Sequence, residues 1–180
     1  SRAVQQRMVE RLQADGIRHP GLLQAFATIP RHWFVDSALV NQAYEDTSLP
    51  IGLGQTISKP SVIASMVELL IQRPGLSPDA AGLPLGHCLD VGTGCGYQAA
   101  ILSCVSKRVV SIERLRDLHL KARQNLDRLR QGLPGWQDVR LVYGDGMLGH
   151  GPNAPYDTII AAAGGAAVPS AWIDQLAPGG

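Results

Sequence analysis

At its centre the chain reads Leu89-Asp90-Val91-Gly92-Thr93-Gly94-Cys95-Gly96-Tyr97, an apolar strand that runs into a glycine-rich turn and then into a helix. Glycines at such a turn let the backbone approach a ligand closely, and the helix that follows offers unpaired N–H groups. The glycines have the spacing G-x-G-x-G, whereas the dinucleotide fingerprint is G-x-G-x-x-G, and Tyr97 takes the place of its last glycine. The turn therefore indicates a ligand-binding loop and disfavours NAD.

Acidic residues lie at the ends of three successive predicted strands: Asp90, Glu113 and Asp145. Ligands of open α/β sheets bind at this edge, and an acidic side chain after the second strand accepts hydrogen bonds from both hydroxyls of a ribose. Taken singly, a strand-end aspartate is more often a turn former, and the glycines are more often a tight turn. Together and in this order, the acids and the glycines favour a nucleoside ligand.

Strands and helices alternate from His87 onward. The predicted strands are HCLDVG, VVSIE, VRLVYG and YDTIIAAA, and the predicted helices include QAAILSCV and PSAWIDQLA. A longer helix presents one apolar face, formed by Leu115, Leu118, Ala122, Leu126 and Leu129. This alternation predicts an α/β fold in which a mostly parallel sheet is flanked by helices and the crossovers are right-handed.

The first third of the chain has a different pattern. One short helix is predicted from Met8, Val9 and Leu12, and a second from the apolar cluster at residues 22–29. Between Pro30 and Pro60 the pattern loses its period and predicts a long structured loop, after which helical spacing returns. Loops of this length inside a compact domain are usually functional.

The composition excludes several classes of function. The 180 residues include 16 Lys and Arg against 15 Asp and Glu, a net charge of +1 without a run of like charges, so neither nucleic acid nor an anionic membrane surface is indicated as a partner. The longest apolar run, Ile159 to Val168, is too short to span a bilayer, and we expect no signal peptide. Cys88, Cys95 and Cys104 lack the paired spacing of a disulfide framework, so we expect reduced thiols and a cytoplasmic location. The histidines lack metal-ligand spacing, so we expect no bound metal. We also expect a monomer.

The kind of nucleoside follows from the charges around the predicted site. The P-loop pattern, with its phosphate-binding lysine, is absent. A site with carboxylates suits S-adenosylmethionine, whose ribose and adenine are neutral hydrogen-bonding groups and whose sulfonium is cationic. Methyl transfer from a sulfonium is an in-line displacement that depends largely on positioning the acceptor, so it requires no covalent enzyme intermediate.

Several segments resemble a known family in order and spacing. They are Pro30-Arg31, Phe34-Val35, Ala43-Tyr44, Leu49 to Gly52, Gly54 to Pro60, Asp90 to Gln98, Ser111 to Glu113, Gly144 to Gly146, Ala154 to Asp157 and Pro169 to Gly180. Together they resemble the protein-L-isoaspartate O-methyltransferases, and the similarity covers essentially the whole chain. The segment Gln55 to Pro60 is the specific part, because the glycine motif is common to many methyltransferases.

The resemblance implies a Rossmann-like S-adenosylmethionine methyltransferase fold and a set of site residues. Ser58 would be the active-site serine, and Gln55, Thr56 and Ile57 would line cofactor and substrate. The residues expected to hold S-adenosylmethionine are Asp90, Gly92, Thr93, Gly94, Gly96, Glu113, Asp145 and Gly146. The cysteine at position 95 stands where the family often has serine, a small-for-small change.

The resemblance further implies that the methyl acceptor is the free α-carboxyl group of an L-isoaspartyl residue in a damaged peptide or protein, and that methylation initiates repair. A carboxylate with a pKa near ~3.9 is ionised at neutral pH and requires no general base. Ser58 is therefore interpreted as a hydrogen-bond donor that orients this carboxylate. Judged without the resemblance, Ser58 is more often an N-cap of the helix that begins near Pro60.

We interpret residues 1–180 as a single methyltransferase domain. Residues 1–84 hold the N-terminal helices and the substrate loop, residues 85–180 form the cofactor-binding α/β core, and the Pro- and Gly-rich stretch 73–86 separates them. Because the alternation demands a strand after Ala177-Pro178-Gly179-Gly180, we expect further C-terminal strands beyond this chain.

Two alternatives stay open. A methyltransferase acting on a small molecule or nucleic acid would share the glycine turn and Glu113 but not the Gln55 to Pro60 segment. A non-catalytic nucleoside-binding module would bind the cofactor without transferring its methyl group.

Overall fold

The structure is a computed structural model that describes residues 2–74, 82–162 and 167–180. The α-helices of these residues are α1 (Arg2–Ala14), α2 (Pro20–Thr28), α3 (Pro60–Ile71), α4 (Tyr97–Ser103), α5 (Arg116–Gly132) and α6 (Ser170–Gln175). The strands are β1 (Leu49–Gly52), β2 (Gln55–Ile57), β3 (His87–Val91), β4 (Arg108–Glu113), β5 (Arg140–Tyr143) and β6 (Thr158–Ala161). Short 3-10 turns occupy Arg31–Phe34, Ser37–Gln42, Gly146–Leu148 and Gly151–Asn153.

The central sheet is parallel, with the strand order β5-β4-β3-β6. Its register pairs Asp90 with Ser111 and Glu113 with Tyr143. Helices α4 and α5 connect β3 to β4 and β4 to β5, as parallel neighbours require. The predicted α/β fold is confirmed, and the carboxyl ends of β3, β4 and β5 meet at one edge of the sheet.

The N-terminal helices pack on the helical layer of this sheet. Met8, Val9 and Leu12 are buried on α1, as their spacing predicts. Phe26 of α2 meets the ring of Tyr97 edge-on, with the ring centroids 6.3 Å apart. One hydrophobic cluster therefore runs from α1 to α4. The division that we predict at residues 84 and 85 stays a prediction, and the middle of the predicted break, 75–81, lies outside the described residues.

The segment between Pro30 and Pro60 is more regular than the sequence indicates. It contains an antiparallel hairpin of β1 and β2, in which Leu49 pairs with Ile57. At the tip, Leu53 has a φ of 53°, a left-handed conformation that is uncommon for a residue other than glycine. The prediction of a loop throughout this segment is wrong. The strands are only four and three residues long, and Leu49 and Ile57 are their buried residues, so any alternation is too short to predict a strand from the sequence.

The start of α3 corrects a second expectation. The N-cap position belongs to Lys59, not Ser58, and the Lys59 side chain makes no capping hydrogen bond. The cap comes from Asp46, whose carboxylate accepts hydrogen bonds from the Ser61 N–H at 3.0 Å and from the Ser61 hydroxyl at 2.7 Å. Reading Ser58 as a helix cap is therefore wrong, because a residue distant in sequence supplies the acceptor.

Replacing Asp46 with alanine is expected to lower the free energy of unfolding by about 1 kcal/mol at pH 7, the usual cost of losing a helix cap. Although partial burial tends to raise the pKa of Asp46, the hydrogen bonds from Ser61 hold it below its ordinary value. A depressed folded-state pKa means that this stabilisation is present at neutral pH and is lost as the pH falls through that pKa. Urea unfolding at pH 7 and at pH 3 measures both effects.

The matched control is Glu45→Ala, which removes an exposed neighbouring carboxylate. Equal stabilities of wild type and Asp46→Ala at pH 7 would contradict the capping role.

Candidate active site

A cavity of about 620 Å³ opens at the carboxyl ends of the parallel strands. Its walls are formed by the hairpin, the glycine turn and the segments after β4, β5 and β6. The lining residues are Gln55, Thr56, Ser58, Val91, Gly92, Gly94, Glu113, Arg114, Leu115, Asp145, Gly146, Met147, Ala162, Ala167, Val168, Pro169 and Trp172. This volume lies in the range of small-molecule and cofactor sites.

Glu113 is a cavity-lining carboxylate that two backbone N–H groups hold in place. Its side chain ends β4, is only 7% exposed, and lines the cavity. One carboxylate oxygen accepts from the Gly94 N–H at 2.9 Å, and the other accepts from the Leu115 N–H at 3.0 Å. Each oxygen can accept a further hydrogen bond. The carboxylate is thus fixed in orientation and still able to bind a pair of hydroxyl groups.

The three glycines of the turn have different positions. Gly92 and Gly94 line the cavity, and Gly94 has a φ of 56°. Gly96 lies behind the turn at the start of α4 with a φ of 94°, where an added Cβ would lie 3.4 Å from the Leu126 side chain. Gly96 therefore lets the turn pack against α5, and only the first two glycines border the cavity.

Asp90 lies differently from the expected strand-end position. It is fully buried within β3 and accepts hydrogen bonds from the Ser111 hydroxyl at 2.7 Å and from the Gln98 amide at 3.0 Å. The Thr93 hydroxyl lies 2.6 Å from the same Ser111 hydroxyl. Neither Asp90 nor Thr93 lines the large cavity. The two residues belong to a buried polar network that holds the glycine turn against β4.

Burial raises the pKa of the Asp90 carboxyl to about 6, against the opposing effect of the hydrogen bonds from Ser111 and Gln98. We therefore expect the ¹³C resonance of this carboxyl to titrate with a midpoint near pH 6 in the folded protein. Since the folded-state pKa of Asp90 lies above its unfolded value, ionisation of Asp90 lowers the free energy of unfolding as the pH rises towards 6. The variant Asp90→Asn should remove this pH dependence. A midpoint near the ordinary aspartate value would contradict this expectation.

Asp145 and Gly146 lie in the turn after β5. One Asp145 carboxylate oxygen accepts from the Met147 N–H at 2.9 Å, and the other has no hydrogen bond to the described residues. An added Cβ at Gly146 would lie 2.5 Å from the Val91 side chain. The turn is therefore packed so closely against β3 that a larger residue would clash at this position. Trp172 donates to the Gly146 carbonyl at 2.7 Å and thereby ties α6 to this turn.

The hairpin brings the specific segment of the sequence to the same cavity. Gln55, Thr56 and Ser58 line it, whereas Ile57 is buried and borders a small adjoining cavity of about 40 Å³ together with Thr93. The Ser58 hydroxyl makes no hydrogen bond to the described residues. Neither a histidine nor a carboxylate is hydrogen-bonded to it there, so the surroundings suit a hydrogen-bond donor better than a nucleophile.

Sequence reasoning missed part of the wall. Arg114 and Leu115 directly follow Glu113, and Met147 directly follows Gly146, so their positions after strand ends are a usable signal. Val168 and Trp172 carry no such signal, because the packing of α6 against the turn after β5 places them.

Two further findings concern residues 2–74, 82–162 and 167–180. No group of three or more His, Cys, Asp or Glu side chains in these ranges is placed to hold a metal ion. None of the helices within them is both long and apolar enough to cross a membrane.

The parallel sheet, glycine turn and acidic strand end around one cavity define the class of Rossmann-like methyltransferases. A solved protein-L-isoaspartate O-methyltransferase superimposes with a TM-score of 0.81 at 32% identity, covering 98% of this chain and 53% of its own. A second solved structure, a putative protein-L-isoaspartate O-methyltransferase from Plasmodium falciparum in complex with S-adenosyl-L-homocysteine, shares the fold with a TM-score of 0.71 at 22% identity, covering 95% of this chain and 78% of its own.

The family is defined by the sequence itself. The family model for protein-L-isoaspartate(D-aspartate) O-methyltransferase matches residues 3–180, so the chain belongs to this family. A protein-L-isoaspartate O-methyltransferase of Leptothrix cholodnii is 61% identical over 95% of this chain and 56% of its own length. One of Methylibium petroleiphilum is 59% identical over 100% of this chain and 63% of its own. The predicted family is confirmed, and the chain spans somewhat more than half the length of these curated relatives.

Proposed function

We propose that the protein transfers a methyl group from S-adenosylmethionine to the free α-carboxyl group of L-isoaspartyl residues in damaged peptides and proteins, and so initiates their repair. The observation that carries this proposal is the shared cavity of the Ser58 hairpin, the glycine turn and Glu113. Membership in the family and the names of the relatives support it.

The residues present fit S-adenosylmethionine. Glu113, held by two backbone N–H groups with acceptor capacity to spare, would bind the ribose hydroxyls. Gly92 and Gly94 let the backbone approach the ligand. The Asp145 oxygen that has no hydrogen bond to the described residues would accept one from the amino group of the adenine. When bound, the cofactor supplies a methyl group on a cationic sulfonium, which an oxygen nucleophile can take by in-line displacement.

The chain itself orients the acceptor and contributes apolar surface to the cavity. The Ser58 hydroxyl donates a hydrogen bond to the acceptor carboxylate, which is already ionised at neutral pH and needs no base to remove a proton. Met147, Val168 and Trp172 contribute apolar surface to the cavity lining, against which an apolar part of the cofactor or the peptide can pack.

The proposal is tested with the full-length protein, labelled cofactor and two peptides that differ only in an aspartyl or isoaspartyl linkage. The isoaspartyl peptide alone should be labelled. Equal labelling of both peptides, or labelling of neither, overturns the substrate assignment. Calorimetry with S-adenosylhomocysteine then separates the alternatives, because binding without transfer to any acceptor indicates a nucleoside-binding module.

Replacing Ser58 with alanine should lower turnover of the isoaspartyl peptide about 10- to 100-fold, as expected for loss of one hydrogen bond to a charged group. Cofactor affinity and melting temperature should stay close to wild type, because the Ser58 hydroxyl has no partner among the described residues. Steady-state kinetics and thermal unfolding measure the two effects. The control is Ser48→Ala in the same segment, and unchanged turnover of Ser58→Ala would contradict the orienting role.

The oligomeric state and the compartment stay predictions of the sequence. We propose a monomer, and a cytoplasmic location on the ground that the three cysteines lack the spacing of a disulfide framework. Size-exclusion chromatography of the full-length protein checks the first part, and a stable dimer at micromolar concentration would contradict it.

A further inference from the structure

Arg31 lies directly behind the wall of the cavity that Ser58 forms. The side chain is 0% exposed and belongs to the 3-10 turn Arg31–Phe34. Its guanidinium donates to three backbone carbonyls, those of Ala43 at 2.6 Å, Thr47 at 3.3 Å and Ser58 at 2.9 Å. One side chain thus joins the segment before the hairpin to the residue that follows it, and that residue is Ser58, the candidate catalytic serine.

The positive charge of Arg31 has no carboxylate partner in the parts of the chain that the structure describes. The guanidinium carbon lies 4.9 Å from the centroid of the Tyr97 ring, and one terminal nitrogen, Nη1, is buried without a hydrogen bond. Asp46 makes only a minor contribution to the pKa of Arg31, and its carboxylate is hydrogen-bonded to Ser61 instead. Burial lowers the pKa of Arg31 from its ordinary value, yet an arginine keeps its proton in proteins.

A buried cation without an ionic partner is costly, and proteins normally pair such charges. In this fold a counter-charge could come from the cavity, because the guanidinium donates to the carbonyl of Ser58 and Ser58 lines the cavity. The lining of the cavity also includes the carboxylates of Glu113 and Asp145. The cavity therefore offers carboxylates that suit a cationic group and, at Ser58, a wall backed by a buried cation that suits an anionic one.

We propose that Arg31 is a specificity-determining residue, whose buried charge makes the Ser58 side of the cavity select an acceptor carboxylate over a neutral group of the same shape. The inference rests on the proposed function, since the acceptor in question is the α-carboxylate of an isoaspartyl residue. A charge shielded from water acts across the low-dielectric protein more strongly than an exposed one. Two further cations are exposed, Arg114 in the cavity lining and Lys59 next to Ser58, and solvent and salt screen their charges.

The test compares two peptides, one with an isoaspartyl residue and one with its α-carboxamide counterpart, isoasparagine. Their dissociation constants are measured by calorimetry on the full-length protein saturated with S-adenosylhomocysteine. Wild type should bind the carboxylate peptide about tenfold more tightly than the amide peptide. Arg31→Met should reduce this preference to less than about threefold. The control Lys59→Met, which removes a neighbouring exposed cation, should keep the wild-type preference.

An Arg31→Met protein that binds S-adenosylhomocysteine normally and retains the full preference overturns the inference. If Arg31→Met does not fold, wild type decides the question through its salt dependence. A preference for the carboxylate peptide that a buried cation sets should change less than about twofold between 0.05 and 0.5 M KCl. A preference that surface charges set should be lost at 0.5 M KCl, and that result would overturn the inference. If the wild-type protein neither binds nor methylates the isoaspartyl peptide, the proposed function is refuted, and this inference with it. If Arg31→Met methylates the peptide and keeps the preference for the carboxylate, only the role of Arg31 is refuted.

Discussion

Replacing Phe34 with alanine is expected to lower the free energy of unfolding by about 3–5 kcal/mol, the usual cost of emptying an aromatic site in a core. Phe34 comes from the irregular segment before the hairpin, yet it is only 1% exposed. Its ring meets Tyr97 edge-on with the centroids 5.4 Å apart, and Tyr97 is the first residue of α4. The substitution therefore opens a cavity between the N-terminal elements and the helix that follows the glycine turn.

Urea unfolding followed by circular dichroism measures this loss, with Leu69→Ala as the control, because Leu69 is 70% exposed on α3. Phe34→Leu should cost less than Phe34→Ala, since leucine refills most of the space. A loss below about 1 kcal/mol for Phe34→Ala would contradict the interpretation that this ring anchors the segment to the core.

Replacing Glu113 with alanine is expected to weaken binding of S-adenosylhomocysteine by about 1.5–3 kcal/mol, or about 10- to 150-fold. The reason is twofold. The variant loses the charged acceptor that we assign to the ribose hydroxyls, and it leaves the N–H groups of Gly94 and Leu115 without their carboxylate. The glycine turn consequently loses one of its hydrogen bonds to β4.

Calorimetric titration of the full-length protein with S-adenosylhomocysteine gives the affinity. Glu113→Gln keeps the shape and one acceptor oxygen, so its loss should be smaller than that of Glu113→Ala. The control is Glu10→Ala, which removes an exposed carboxylate on α1. An affinity of Glu113→Ala equal to wild type would refute the assigned role.

The core of the fold could be predicted because its signals are local. The apolar run of β3, the glycines at φ values that favour glycine, and the apolar face of α5 each lie within one short window of sequence. The position of Glu113 at a strand end was predictable for the same reason. Parallel strands bring their carboxyl ends to one edge, so a strand-end residue is placed near the ligand without further knowledge of the packing.

The rest depended on contacts between distant residues. Asp90 has the same strand-end pattern as Glu113, yet it faces into the protein and binds Ser111, because β3 continues for one residue beyond it. The cap of α3 comes from Asp46, fifteen positions before Ser61. The hairpin of β1 and β2 is too short for its sequence to predict a strand. Its position is set by Leu49 and Ile57, which pack into the hydrophobic core formed by distant elements.

By its sequence alone this chain is an α/β protein with a glycine turn, an acidic strand end and a segment specific to one methyltransferase family, since strand, turn and helix signals act over a few residues. The tertiary structure alone decides that Ser58 and Glu113 share a cavity, and that a buried Arg31 stands behind the serine. The physical reason is that packing brings together residues that are far apart in sequence. Which charges become buried and which residues share a cavity depend on those contacts, and a local sequence pattern contains no information about them.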